Sequence, residues 1–370
     1  MDTPSPSRSS LSSLSSLSEP SLASQSRKLV GGWLLLCCGM VFVMVLLGGL
    51  TRLTHSGLSM VEWQPLTGVL PPMTPEEWHE TFAKYQQFPE FQKINPGMTV
   101  EEFKGIFWLE FIHRLWGRGI GLVFFLPFLF FWLSGRLEPG LPRRLLGIFA
   151  LGGLQGGLGW YMVKSGLVDH PDVSPYRLTA HLALAFILYA GMLALALGLL
   201  RPPSRLRRLT PSLLLQDSRL TALRAGLSGL LLLTSLTILM GGFVAGLDAG
   251  LIYNTFPLMD GALIPSGLFP ETPGFRSLFE DVKTAQFMHR TLAELTLGVG
   301  LGVGWLAHRA SEGVGLAPVY TALLLALLMQ VGLGIATLVL VVPVTIAALH
   351  QAGALVLFSF ALWGLHESRR

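Results

Sequence analysis

The sequence predicts an all-α integral membrane protein: eight transmembrane helices arranged as two repeated four-helix bundles, with both termini cytoplasmic. Three observations carry this prediction. Of 370 residues, 51% are apolar and only 13% charged, against about 25% charged in an ordinary soluble domain. With a mean hydropathy of +0.57, the charges are too few to coat a water-facing surface. Eight apolar stretches reach the roughly 20 residues that a helix needs to cross the hydrocarbon core, and the second half of the chain repeats the first. A net charge of +4 and a pI near 9.2 do not make a nucleic-acid binder, because the cations form no single patch. They sit in short runs between apolar stretches, where basic residues mark the cytoplasmic side of a membrane.

Residues 1–28 read as a disordered, Ser-rich cytoplasmic tail. Up to residue 26 its only cation is Arg8, and it holds Asp2 and Glu19, which makes it a poor transit peptide. A bacterial plasma (inner) membrane is therefore expected, with the mitochondrial inner membrane as the alternative. The first apolar segment is too long, and too polar at its end (Gly48, Gly49, Thr51, Arg52), for a cleaved signal. Its adjacent Cys37 and Cys38 point in different directions on a helix and imply neither a disulfide nor a thiolate metal site.

The spans fall near 30–50, 107–133, 144–164, 178–200, 222–245, 285–307, 317–340 and 345–365. This gives an N-terminal half, 29–200, a basic cytoplasmic linker, 201–221, and a C-terminal half, 222–370. Fifteen Lys and Arg lie on the side of the termini; eight lie on the other, in longer loops mixed with carboxylates. The positive-inside rule then places the long loops 51–106 and 246–284 outside.

The repeat is the stronger organising fact. Gly48-Gly49, Gly57-Leu58, Gly68, Leu70 and Pro72 recur 193 residues later as Gly241-Gly242, Gly250-Leu251, Gly261, Leu263 and Pro265. Gln155, Gly157, Leu158 and Gly159 recur at a spacing of 175 as Gln330, Gly332, Leu333 and Gly334, and Phe111, His113 and Arg114 recur at 176 as Phe287, His289 and Arg290. His181 has its counterpart in His350. The halves share one orientation.

Four of the nine histidines, His113, His181, His289 and His350, thus lie near the outer ends of the even-numbered spans, at one expected depth. Any one could simply bond a neighbouring helix, but four in register are functional candidates. Zinc or di-iron sites call for more ligands. Two facing imidazoles in an apolar bundle suit a heme with two axial histidines. Arg114, Arg118 and Arg290 lie beside these ligands, placed either to pair with heme propionates or to snorkel to the interface. Glu110 stands three residues before His113, whereas Gln286 holds the equivalent place in the second half. A carboxylate beside one site alone suggests proton chemistry there and a resident electron-transfer heme in the other; the plainer alternative is an interfacial glutamate. His55, His79, His308 and His366 read as loop or helix-end residues. Asp169-His170 lies near the outer face, in reach of a proton relay or as an ordinary loop.

Longer strings stand around these residues: Gly49-Leu-Thr-Arg-Leu-Thr54, Ser56-Gly-Leu-Ser-Met60, Tyr85-Gln-Gln-Phe-Pro-Glu-Phe91 and Glu110-Phe-Ile-His-Arg-Leu-Trp-Gly-Arg118. They continue through Met162-Val-Lys-Ser-Gly-Leu167, Tyr176-Arg-Leu-Thr-Ala-His181, Ala245-Gly-Leu-Asp-Ala-Gly-Leu251 with Tyr253-Asn254, Gln286-Phe-Met-His-Arg290 and Leu349-His-Gln351. Together they carry a resemblance to the heme A synthase family, in particular the type shared by alphaproteobacteria and mitochondria. It implies oxidation of the C8 methyl of heme O to a formyl group. It also implies His113 and His181 at the substrate heme with Glu110 required, and His289 and His350 as axial ligands of a heme b cofactor. A related bacterial type has a cysteine pair in the first outer loop; none stands here, so no thiol-dependent mechanism carries over. Membrane lipid, an external electron acceptor and, by pathway logic, heme O synthase are the expected partners. The competing readings are a bis-histidine diheme electron carrier of the cytochrome b kind and a heme-handling protein without redox turnover.

Overall fold

A computed structural model describes residues 22–62, 68–168, 171–201, 213–272, 274–310 and 318–369. The N-terminal tail up to residue 21, the Asp169-His170 pair and positions 202–212 of the expected linker lie outside them. The described part is helical: α1 (Leu22–Leu53), α2 (Pro75–Tyr85), α3 (Pro89–Lys93), α4 (Val100–Leu133), α5 (Leu141–Gly166), α6 (Pro175–Leu200), α7 (Leu213–Gly246), α8 (Ser277–Glu280), α9 (Val282–Ala310), α10 (Pro318–Val339) and α11 (Val344–Glu367). Seven of the eight expected spans fall within long helices, and the expected 317–340 is matched by α10 at Pro318–Val339. Seven of these helices are long and apolar enough to cross a membrane. The remaining one, α9, falls outside that set and carries Lys283, His289, Arg290 and Glu294.

Two boundaries depart from the sequence reading. Residues 22–28, expected as disordered tail, form the first turns of α1, where Arg27 pairs with Glu138 at 3.3 Å and donates to the Gly198 carbonyl. Residues 213–221, expected as linker, are already the start of α7. In both places apolar burial sets the core of the helix, and the turns before it extend the same backbone hydrogen-bond ladder.

Local chemistry fixes the ends. Thr74 and Thr99 each form a capping box, with Glu77 and Glu102, at the starts of α2 and α4, satisfying amide donors that a helix N-terminus leaves unpaired. Inside α4, Pro127 has no N–H to give the carbonyl of Val123, four residues earlier. The indole Nε1 of Trp33 donates to that carbonyl at 2.8 Å, tying α1 to α4 where an unpaired oxygen in lipid would be costly.

In the first half α1 packs on α4 and α6, and α5 on α6; in the second α7 packs on α9, and α11 on α10 and α7. The halves meet through α6 with α7 and α1 with α11. Two apolar cores fill one end of this assembly. One runs from Val30–Val45 of α1 through Phe124, Phe128 and Phe131 to the C-terminal part of α6. The other joins Leu223, Leu227 and Leu230 of α7 and the first half of α10 to the last turns of α9 and α11. The four histidines lie at the opposite end. There α5 buries no residue between Leu145 and Gly166, and α10 none after Leu327. Above the histidine end of the first half, Trp78, Phe82 and Tyr85 of α2, in the outer loop, pack on Phe103, Phe107 and Phe111 of α4 as an aromatic cluster.

Candidate functional site

The histidines come together in two pairs, one in each half. His113 (α4) and His181 (α6) lie within electrostatic range of each other, as do His289 (α9) and His350 (α11). His181 and His350 are both the seventh residue of their helices and His289 the eighth. His113 is the fourteenth of α4, because the capping box at Thr99 starts that helix early, under the aromatic loop.

Each ring packs against a glycine of the neighbouring helix. A Cβ on Gly48 would come within 3.1 Å of His113 Cε1, one on Gly159 within 3.0 Å of His181, one on Gly241 within 3.2 Å of His289 and one on Gly334 within 2.8 Å of His350. The repeat noted at these glycines is therefore a repeat of histidine cradles. The second glycine of each pair faces across the halves. Gly49 meets Gln351, beside His350, and Gly242 meets Thr179 and Leu182, flanking His181.

All four rings are half-buried. Nδ1 of His113, His181 and His350 is covered and has no hydrogen-bond partner. His289 Nδ1 lies 3.1 Å from the Thr237 carbonyl. A carbonyl only accepts, so Nδ1 there carries the proton and Nε2 keeps a free lone pair. Gln155 Nε2 donates to the His181 carbonyl at 3.0 Å. Among the described residues no group of three or more His, Cys, Asp or Glu forms a metal site. Two imidazoles per half, a glycine behind each ring and unburied apolar helix faces beside them fit a heme with two axial histidines better than a many-ligand metal centre.

Glu110 is not a solvated interfacial residue. It is 3% exposed and accepts from Ser59 Oγ at 2.7 Å and from Met60 N at 2.8 Å, while its other oxygen pairs with Arg114. Arg114 also donates to the carbonyls of Met60 and Glu62. In the second half Arg290 donates to the carbonyls of Tyr253 and Thr255, the equivalents of Met60 and Glu62 at the 193-residue spacing. Both arginines thus clamp an outer loop onto the helix that bears a histidine. The buried Nε of Arg290 has no partner. Arg118, one turn further along α4, is half-buried. His55, His79 and His308 are exposed, and His366 Nε2 lies 2.8 Å from the Arg201 carbonyl at the far end.

Sequence reasoning missed Glu90. It lies in α3 of the outer loop, 2% exposed, in hydrogen-bonding contact with the Tyr85 hydroxyl and within electrostatic range of Glu110 and Asp172. Burial pushes its carboxyl up to about 8, opposed by Tyr85 and reinforced by the two acidic neighbours. The available signal was the density of aromatics around it, Phe82, Tyr85, Phe88 and Phe91, which is unlike a solvated loop.

The sequence model of the family described as COX15-CtaA, cytochrome oxidase assembly protein, matches residues 31–362. The chain is 56% identical over 349 residues to a protein of Paramagnetospirillum magneticum named heme A synthase, covering 94% of this chain and 96% of the relative. It is 52% identical over 352 residues to a heme A synthase of Nitrosospira multiformis, with 93% and 94% covered. With one of Rhizobium meliloti it shares 45% over 347 residues, with 94% and 91% covered.

Proposed function

The chain belongs to the COX15-CtaA, or heme A synthase, family of cytochrome oxidase assembly proteins, and on that premise we propose that it oxidises the C8 methyl of heme O to a formyl group, giving heme A for terminal oxidases. In this reading α9 also spans the membrane, as the sixth of eight helices, both termini are cytoplasmic, and the membrane is a bacterial plasma membrane. His113 and His181 take the substrate heme O; His289 and His350 hold heme b, with the halves dividing as 29–200 and 222–370.

The bound heme b supplies one-electron redox chemistry between the substrate site and an external electron acceptor. The chain's own residues do the rest. Thr237 holds His289 in the tautomer that leaves Nε2 available. The glycines behind the rings fix their planes. Arg114 and Arg290 lock the outer loops over the two sites, and with Arg118 they supply positive charge near where heme propionates would lie. The aromatic cluster of the first loop excludes water above the first site. Glu110, on the His113 side of that cluster, holds or releases the proton. Handover of an insoluble substrate within the membrane makes heme O synthase a natural partner.

The single observation that carries this reading is that two equivalent histidine pairs differ at Glu110 and Gln286. Chromatography of hemes extracted from cells making heme O, with and without this protein, tests it. Heme A appearing only with the protein is the expected result; none, with an acceptor present and two hemes retained, would instead point to a diheme electron carrier.

A further inference from the structure

We propose that Glu90 is a proton-transfer residue connecting Glu110 with the outer aqueous face at Asp172. Three carboxyls form a graded series. Glu110 is buried beside the first histidine pair and Glu90 is equally buried in α3, while Asp172 is exposed in the turn between α5 and α6. Glu90 lies within electrostatic range of both others. Its Oε2 is buried without a hydrogen-bond partner, an arrangement that costs stability in a purely structural residue. The rest of its surroundings orient it: Asn95 Nδ2 donates to the Tyr85 hydroxyl at 3.0 Å, leaving that hydroxyl's proton directed to Glu90. Among the described residues, the titratable groups acting on it are Tyr85 from α2, Glu110 from α4 and Asp172, Glu110 itself being paired with Arg114.

This rests on the reading of Glu110 as the proton carrier of a methyl oxidation. Turning a hydroxymethyl into a formyl group breaks one C–H and one O–H bond, sends an electron pair to the external acceptor and frees two protons. A proton taken up at Glu110 must leave before the next turnover. Ser59, Met60 and Arg114 hold Glu110 away from water, and Glu90 in its ionised form is an acceptor within electrostatic range of it; Asp172 then passes the proton to solvent. A carboxyl titrating near neutrality exchanges protons in both directions at working pH.

The test has two arms on the full-length protein. Infrared pH titration without turnover should show a protonated-carboxyl band that disappears near pH 8, is absent in Glu90→Gln and persists in Asp172→Asn. Heme O conversion in Glu90→Gln should fall about a hundredfold, the lower edge of a general acid–base contribution, and lose its rise through that pH. Heme b content should stay unchanged and Glu90→Asp should recover part of the rate. A Glu90→Gln protein with the wild-type rate and pH profile, or with the carboxyl band intact, overturns the proposal. Where Glu90→Gln does not accumulate, Tyr85→Phe removes the hydroxyl that favours the carboxylate, so the band should titrate at higher pH; an unmoved band overturns it equally. A wild-type protein that makes no heme A sinks the synthase reading instead, and the infrared arm still decides whether Glu90 titrates as stated.

Discussion

Glu110 and Gln286 occupy equivalent positions in the two halves and bind the same stretch of outer loop with opposite polarity. Glu110 accepts from the backbone N–H of Met60; Gln286 donates to the carbonyl of Tyr253 at 3.1 Å, and Tyr253 is the equivalent of Met60. The adjacent Arg114 and Arg290 make the same loop contacts. The loop-clamping scaffold is therefore shared, and at the position three residues before the histidine the two sites differ in one ionisable group.

Glu110→Gln should leave the protein folded, since an amide oxygen can still accept from Ser59 and Met60. It unpairs the largely buried Arg114 from its carboxylate, at a cost of about 1–3 kcal/mol. Conversion of heme O should fall on the order of 10²–10⁴-fold while heme bound by the second half is retained. Extracted heme composition and the absorbance of the purified protein check both. Wild-type turnover would remove Glu110 from the mechanism.

The glycine cradles give a second expectation. Gly334→Val sets a branched side chain against His350, where even a Cβ comes within 2.8 Å, so the ring must turn and resident heme should be lost or its reduced-minus-oxidised spectrum altered. Gly159→Val should do the same to the exchangeable site through His181, lowering conversion with resident heme unchanged. Gly302→Ala in α9, with no atom within 4 Å of the added Cβ, is the control and should behave as wild type.

Much of this was legible in the sequence, because membrane burial writes long apolar runs and a duplicated half repeats its special residues. The four histidines, the Gly-Gly pairs and the Glu110/Gln286 difference all follow from aligning the chain with itself. Which glycine touches which ring does not, since that depends on helix rotation, which an all-round apolar helix leaves unspecified. The loop roles of Arg114 and Arg290 were also hidden: a cation next to a ligand reads as a propionate partner until its carbonyl acceptors are placed. Glu90 escaped because a carboxylate in a charged loop looks solvated unless the surrounding aromatics are seen to fold over it.

The turn between α10 and α11 stores strain that can be removed. Val341 and Val342 have φ of +63° and +56°, a left-handed conformation that costs a residue with a Cβ about 1–2 kcal/mol. Val341 is 53% exposed, so its side chain contributes little packing. Val341→Gly should stabilise by roughly 0.5–1 kcal/mol after the glycine's greater unfolded-state entropy is counted, seen as a rise in unfolding temperature in detergent. Val339→Gly, in the last turn of the helix, should lower it.

Glu90 also makes the outer loop sensitive to pH in a direction opposite to the usual carboxylate. An unfolded glutamate loses its proton near pH 4.3, whereas the folded one keeps it until about 8. Between those values the folded loop binds more protons than the unfolded chain, so its stability falls as pH rises. Above the folded value the fall from this group ends, and below the unfolded value its contribution is constant. Limited proteolysis of the 51–106 loop should therefore speed up from pH 5 to pH 8 beyond the protease's own pH dependence, calibrated on an unstructured substrate. In Glu90→Gln, where the side chain stays neutral throughout, the loop's own protection should be flat over the same range. A wild-type loop equally protected at both pH values would mean that Glu90 is ionised in the fold and that its burial is relieved by water.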